Sequence, residues 1–179
     1  RLTRMRDEDN FVSGVAMHHI DQLKLCVFFG EYAQARTHIQ ETDKVLQALM
    51  GTPFTAEFCF FGFLALAAVL PDMSSADKKA TWKRLTKQHK QMKKWAAYAP
   101  VNFLHCQLLM EAEFARLSGK SQQAADLYEQ AIRTAHAHEY VDGEALSHEL
   151  AATFYLNRNM ETIASAYLKE ARACYAQWG

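Results

Sequence analysis

Residues 119–135 read Gly119-Lys120-Ser121-Gln122-Gln123-Ala124-Ala125-Asp126-Leu127-Tyr128-Glu129-Gln130-Ala131-Ile132-Arg133-Thr134-Ala135. A glycine closes whatever precedes. Then Ala124, Leu127, Tyr128, Ala131, Ile132 and Ala135 fall at steps of three and four, the spacing that lines one face of an α-helix. The same rhythm returns at 160–178 in Ile163, Tyr167, Ala171, Cys174 and Trp178. It returns at 76–98 in Trp82, Leu85, Met92 and Trp95, with His89 in register.

Across the chain one plan repeats. Gly30-Glu31-Tyr32 leads to Ala35, Gly119-Lys120-Ser121 to Ala124, and Asn159 to Ala164. Each is a turn followed five positions on by a small residue. A larger one comes four later (Ile39, Tyr128, Leu168), then a small one three later (Thr42, Ala131, Ala171). Small residues at such places let one helix of a hairpin approach the other closely. Ala124 and Ala164 are 40 residues apart and Ala35 and Ala124 are 89 apart. Those intervals are near one and two repeats somewhat longer than the about 34 residues of a tetratricopeptide unit.

Breakers at Gly30, Gly51-Thr52-Pro53, Pro71 to Ser75, Pro100, Gly119, Asp142-Gly143 and Asn157-Arg158-Asn159 divide the chain into about eight helices. Short links between amphipathic helices imply antiparallel neighbours. The expectation is therefore an all-α, tetratricopeptide-like superhelix of about four antiparallel hairpins, 10–49, 54–98, 101–138 and 142–178, in one domain over 1–179. The segment Phe54 to Leu70 is apolar nearly all round and reads as a helix sandwiched between others.

Composition agrees. The 179 residues hold only 7 Gly and 3 Pro, too few for a turn-rich sheet protein. Twenty basic and twenty acidic residues leave no net charge, and so no long-range field to recruit nucleic acid or anionic lipid. The run Lys78, Lys79, Lys83, Arg84, Lys87, Lys90, Lys93, Lys94 lies on one helix, as a solvated face or a docking face for an acidic neighbour. Cys26, Cys59, Cys106 and Cys174 are widely spaced within apolar stretches, which points to reduced core thiols and a cytoplasmic setting. The apolar run from Phe58 to Leu70 is shorter than the ~20 residues of a membrane span. The charged start, Arg1 to Asp9, has no apolar signal core, and the absence of an initiator Met together with the ending Trp178-Gly179 reads as a piece of a longer chain.

Several segments then carry a family likeness. They are Asn102-Phe-Leu-His105, Glu111 to Lys120, Ala125 to Ile132, Glu144 to Ala152 with Phe154-Tyr155-Leu156, Ala166-Tyr-Leu with Glu170, and Cys174-Tyr175. Phe29 to Ala35 and Lys94 to Pro100 fit as well. Together they resemble the helical-repeat region of large bacterial multidomain signal-transduction proteins. In that family a protein-kinase-like domain and a P-loop ATPase precede the repeats, and a GAF domain and often a histidine kinase follow. The resemblance implies a repeat module that transmits or gates input between such domains.

Motifs that resemble catalytic ones are each incomplete. Gly119-Lys120-Ser121 imitates a phosphate-binding loop, but the glycine needed five positions earlier is Phe114. Ser147-His148-Glu149-Leu150 imitates a histidine-kinase phosphoacceptor box, yet Ala151-Ala152 follow where Arg-Thr belong. The second zinc-protease histidine would fall at Ala152. His136 and His138 lie about 200° apart round a helix and cannot share a metal. Glu144 and His148 can, but two ligands without a third make a weak site. No catalytic residue, cofactor or metal is expected.

What remains is a concave face, lined in stacked hairpins by the first helix of each pair. Register places Lys24, Glu113, Arg116, Glu149 and Asn157 there, a mixed-charge surface suited to a peptide or a neighbouring domain. The expected function is a non-catalytic scaffold for protein–protein or interdomain contacts in an ATP-dependent signalling kinase, with possible self-association through the last helix. Two alternatives stay open: an effector-sensing repeat domain of an ATPase-type transcription regulator, and a free-standing adaptor.

Overall fold

The computed structural model describes residues 11–179. The charged start and residue 10 of the first expected hairpin lie outside these. Among the described residues there are eight α-helices and no strand: α1 Val12–Phe28, α2 Tyr32–Val45, α3 Pro53–Val69, α4 Ser75–Tyr98, α5 Pro100–Leu117, α6 Ser121–Ala137, α7 Val141–Leu156 and α8 Glu161–Trp178. Short 3-10 turns, Leu46–Leu49 and Leu70–Asp72, extend α2 and α3. The all-α expectation holds.

Four corners share one construction. After α1, α5, α6 and α7 a single residue turns left-handed: Gly30 at φ 70°, Gly119 at 71°, Glu139 at 60° and Asn159 at 57°. The amide of the residue after it reaches back five positions, from Glu31 to Cys26 (2.7 Å), Lys120 to Ala115 (2.9 Å), Tyr140 to Ala135 (3.0 Å) and Met160 to Tyr155 (3.0 Å). These bonds satisfy carbonyls that a helix end would otherwise leave open, and the left-handed residue makes the reversal possible. Two of the four positions are glycine for that reason. Glu139 departs from the expected break at Asp142-Gly143, both of which lie inside the first turn of α7. Gly143 is there for space instead: a Cβ on it would stand 3.0 Å from the His105 ring.

The chain divides into two compact units at Gln88 and His89. In the first, α1 and α2 pair, with Ala35, Ile39 and Thr42 buried as the repeat plan requires. The helix α3 packs on both. It is buried at every residue from Phe58 to Ala67, and it is the one helix among the described residues long and apolar enough to cross a membrane, at 20 residues with its 3-10 extension. That exceeds the span expected from the apolar run alone, because Pro53 to Glu57 and the 3-10 turn continue the helix. α4 meets α3 near Gly62, where Cys59 Sγ donates to the Gln88 carbonyl and Gln88 Nε2 to the Cys59 carbonyl, each at 3.3 Å. Arg84 forks onto Asp43 of α2 at 2.6 and 3.0 Å, while Lys78, Lys79, Lys83 and Lys87 stay exposed.

In the second unit α5 pairs with α6 and α7 with α8, and α7 also lies along α6. Three-residue links join α5 to α6 and α6 to α7, which leaves each helix no room to do other than reverse against the last. Ala124, Ala131 and Ala164 are completely buried at the close contacts, and Leu109, Met110, Tyr128 and Leu146 fill the space between.

Candidate functional site

Two polar clusters of the second unit bear most on its chemistry. The first sits between α5 and α6. Glu113 is 3% exposed, and its carboxylate accepts from Arg116 one turn along, from Nε at 3.1 and 3.0 Å and from a terminal nitrogen at 2.6 Å. The Tyr128 hydroxyl, itself fully buried on α6, donates to the same carboxylate. Burial, and then the neighbouring carboxylate, push the Tyr128 phenol well above its ordinary range, so it stays a donor. Three groups thus satisfy one another in an otherwise apolar contact, which a buried charge requires.

The second cluster joins α6, α7 and α8. Glu144 and His148 stand one turn apart on α7, and Cys174 reaches them from α8, so that one ligand atom from each lies within 4.8 Å of the others. His148 is 9% exposed. Its Nδ1 has no hydrogen-bond partner, and its Nε2 lies 3.9 Å from Glu144 Oε1, beyond hydrogen-bond reach. Exposed His136, at the end of α6, sets Nδ1 at 3.1 Å from both Glu144 oxygens. Burial lowers the His148 pKa against the pull of Glu144, Glu170 and Glu129, and the ring is held neutral. Burial raises the Cys174 thiol, and the Glu144 and Glu170 carboxylates raise it further. Beside this cluster Tyr167 donates to Glu129 and stacks on Tyr155, and Tyr175 donates to Glu149 at 2.6 Å.

The residues assigned to a concave face differ in burial. Lys24 belongs to the first unit, half-buried with its ammonium 5.4 Å from the centre of the Phe61 ring. The other four belong to the second unit. Glu113 is not exposed as its register implied, because Tyr128 and Arg116 close over it. Arg116 is half-buried as its partner. Half-buried Glu149 is held by Tyr175, and only Asn157, in the corner after α7, is fully open. Glu113 and Arg116 are therefore brought together, with Glu113 buried rather than open.

Sequence reasoning found Glu144 and His148 but missed Cys174, which is 26 residues beyond His148 and adjacent only through the α7–α8 pairing. It also missed the pair His19 and His38, whose Nδ1 atoms meet at 3.0 Å between α1 and α2; burial lowers the pKa of both. Gly119-Lys120-Ser121 forms a helix corner rather than a loop after a strand, and burial leaves His148 poorly placed to receive a phosphoryl group. Burial also raises the Cys26 and Cys59 thiols, Cys59 to about 12, as expected of unreactive core cysteines.

The class these features define is an all-α protein of paired helices with polar clusters built into its helix contacts. Comparison with protein-family models, curated proteins and solved structures finds no match for the chain.

Proposed function

We propose that this chain is a non-catalytic, tetratricopeptide-like repeat scaffold that carries protein–protein or interdomain contacts in an ATP-dependent signal-transduction kinase. The observation that supports this most is a face left bare on α8. Helices α6 and α8 follow one register, Ala124 matching Ala164 and Tyr128 matching Leu168. Tyr128 is 0% exposed, covered from both sides by α5 and α7, whereas Leu168 is 43% exposed. Ile163 and Trp178 of the same helix are also partly exposed, at 39% and 49%. Ala164 and Ala171 alone on this 18-residue helix are buried.

The place that α7 holds on α6 is thus open on α8. Exposed apolar side chains on a helix are what an amphipathic helix would cover, and exposed apolar area marks a missing partner. Stacked repeats bury their core only against neighbours. The likeness of the repeated segments to the repeat region of signalling kinases supplies the parent context. The largely buried His148 and the helical corner at Gly119 fit a non-catalytic reading.

The test is light scattering across a dilution series of the chain, of Leu168→Glu and of Trp178→Glu. The bare face should drive association of the parent at high concentration, and either glutamate should abolish it. A strict monomer at high concentration overturns the proposal if Trp178, read with Trp82 and Trp95 changed to Phe, also emits as a buried indole.

A further inference from the structure

We infer that Glu144, His148 and Cys174 form a binding site for a divalent transition metal of the zinc class, clasping α7 to α8. The inference goes beyond the scaffold reading and stands on the local geometry. Three side chains of different chemistry converge with their ligand atoms within 4.8 Å of one another. A tetrahedral zinc with bonds of about 2.0–2.3 Å spaces its ligand atoms by roughly 3.3–3.8 Å. The 3.9 Å between His148 Nε2 and Glu144 Oε1 is already close to that, and rotation about side-chain bonds is enough for the rest.

A second observation points to the same occupant. The imidazole of His148 is 9% exposed, and the nitrogen that faces Glu144, Nε2, makes no hydrogen bond, standing 3.9 Å from Oε1. A buried polar group left unsatisfied is costly and rare, and a ligand is one of its standard explanations. Counting from the left-handed corner before each helix makes the anomaly sharper. Five and nine positions on, α2 carries Ala35 and Ile39, α6 carries Ala124 and Tyr128, and α8 carries Ala164 and Leu168. On α7 the same two positions, counted from Glu139, are Glu144 and His148. A carboxylate and an imidazole occupy positions where the other helices have a small residue and a larger, mainly apolar one.

Charge and donor set narrow the metal. The groups facing the imidazole are Glu144, Glu170 and Glu129, with His136 opposing them. This negative surrounding favours a cation. Binding replaces the thiol proton: Cys–SH and M²⁺ give a thiolate–metal bond and one released H⁺, with no change of oxidation state. A dication with one thiolate, one carboxylate and a neutral imidazole is a neutral complex, suited to a half-buried place. Mixed sulfur, nitrogen and oxygen ligands suit zinc better than magnesium or calcium, which prefer oxygen alone. His136, hydrogen-bonded to Glu144, orients that carboxylate as outer partners of metal ligands do.

Cobalt(II) titration of the reduced full chain tests this. One equivalent should produce the thiolate charge-transfer band and the visible bands of tetrahedral cobalt, with release of one proton, and zinc should displace it. Cys174→Ser should remove the charge-transfer band and His148→Ala should weaken binding at least tenfold. Cys106→Ser, which removes the thiol 3.2 Å from His105 Nε2, should leave the spectrum unchanged. Helical circular dichroism of each variant without metal establishes that it folds. Absence of the charge-transfer band in the parent chain overturns the assignment whatever the variants do, as does a band that persists in folded Cys174→Ser.

Discussion

Replacing Arg116 with Met should be among the most damaging single changes available in the second unit. It removes the cation from Glu113 while keeping the aliphatic stem that packs beside it. Glu113 has 4% of its side chain exposed and Arg116 22%, so the carboxylate has little access to water once its partner is gone. Breaking a buried pair by deleting one member costs about 3–5 kcal/mol. The Tyr128 hydroxyl still donates to the carboxylate, and the guanidinium end is partly wet, which together lower the expectation to about 2–4 kcal/mol. For a chain of this length, roughly 2–4 °C per kcal/mol, the melting temperature should fall by at least about 4 °C. Urea unfolding followed by helical circular dichroism, with the thermal melt beside it, measures the loss. The triple change Glu113→Leu, Arg116→Met, Tyr128→Phe removes every member of the network and should recover most of it, since apolar groups of similar volume replace buried pairs at little or no loss. A single variant within about 0.5 kcal/mol of the parent would refute the reasoning, because that is the range of an exposed ion pair. So would a triple variant no more stable than Arg116→Met.

Two further outcomes follow from the same geometry. Glu139 holds φ 60° at the corner between α6 and α7, so Glu139→Gly should stabilise the fold by ~0.5–1 kcal/mol, read as a higher urea midpoint; a lower midpoint would mean that the corner needs the glutamate side chain. His105, buried against Tyr140, has its pKa lowered from 6.5 to about 4, by burial first, against Asp142 and with His138. The unfolded chain therefore binds the proton first, and stability falls as pH drops from about 6.5 through about 4, by about 3 kcal/mol at the lower limit. His105→Gln should flatten that acid limb in pH-dependent melts, and an unchanged limb would place the titration elsewhere.

What the sequence alone determined is the local part of the answer. Apolar residues at three- and four-residue steps, with few glycines and prolines, specify helices because each helix forms from its own neighbours. The glycines at 30 and 119 and the asparagine at 159 specify corners because few residues tolerate a left-handed backbone. The recurring small residues at 35, 124 and 164 marked close contacts, and all three are fully buried. Tertiary structure decided what distance in sequence conceals. Glu139 turns a corner that its residue type does not announce, since the pairing of α6 with α7 imposes it. Glu113 looked like a surface charge on register, and only Tyr128 folding across from α6 shows that it is buried. Cys174 joins Glu144 and His148 through the pairing of α7 with α8, a contact that no spacing within one helix encodes. Helix periodicity tells which face a residue takes, but whether that face meets solvent, apolar carbon or a second polar group depends on the helix that arrives opposite.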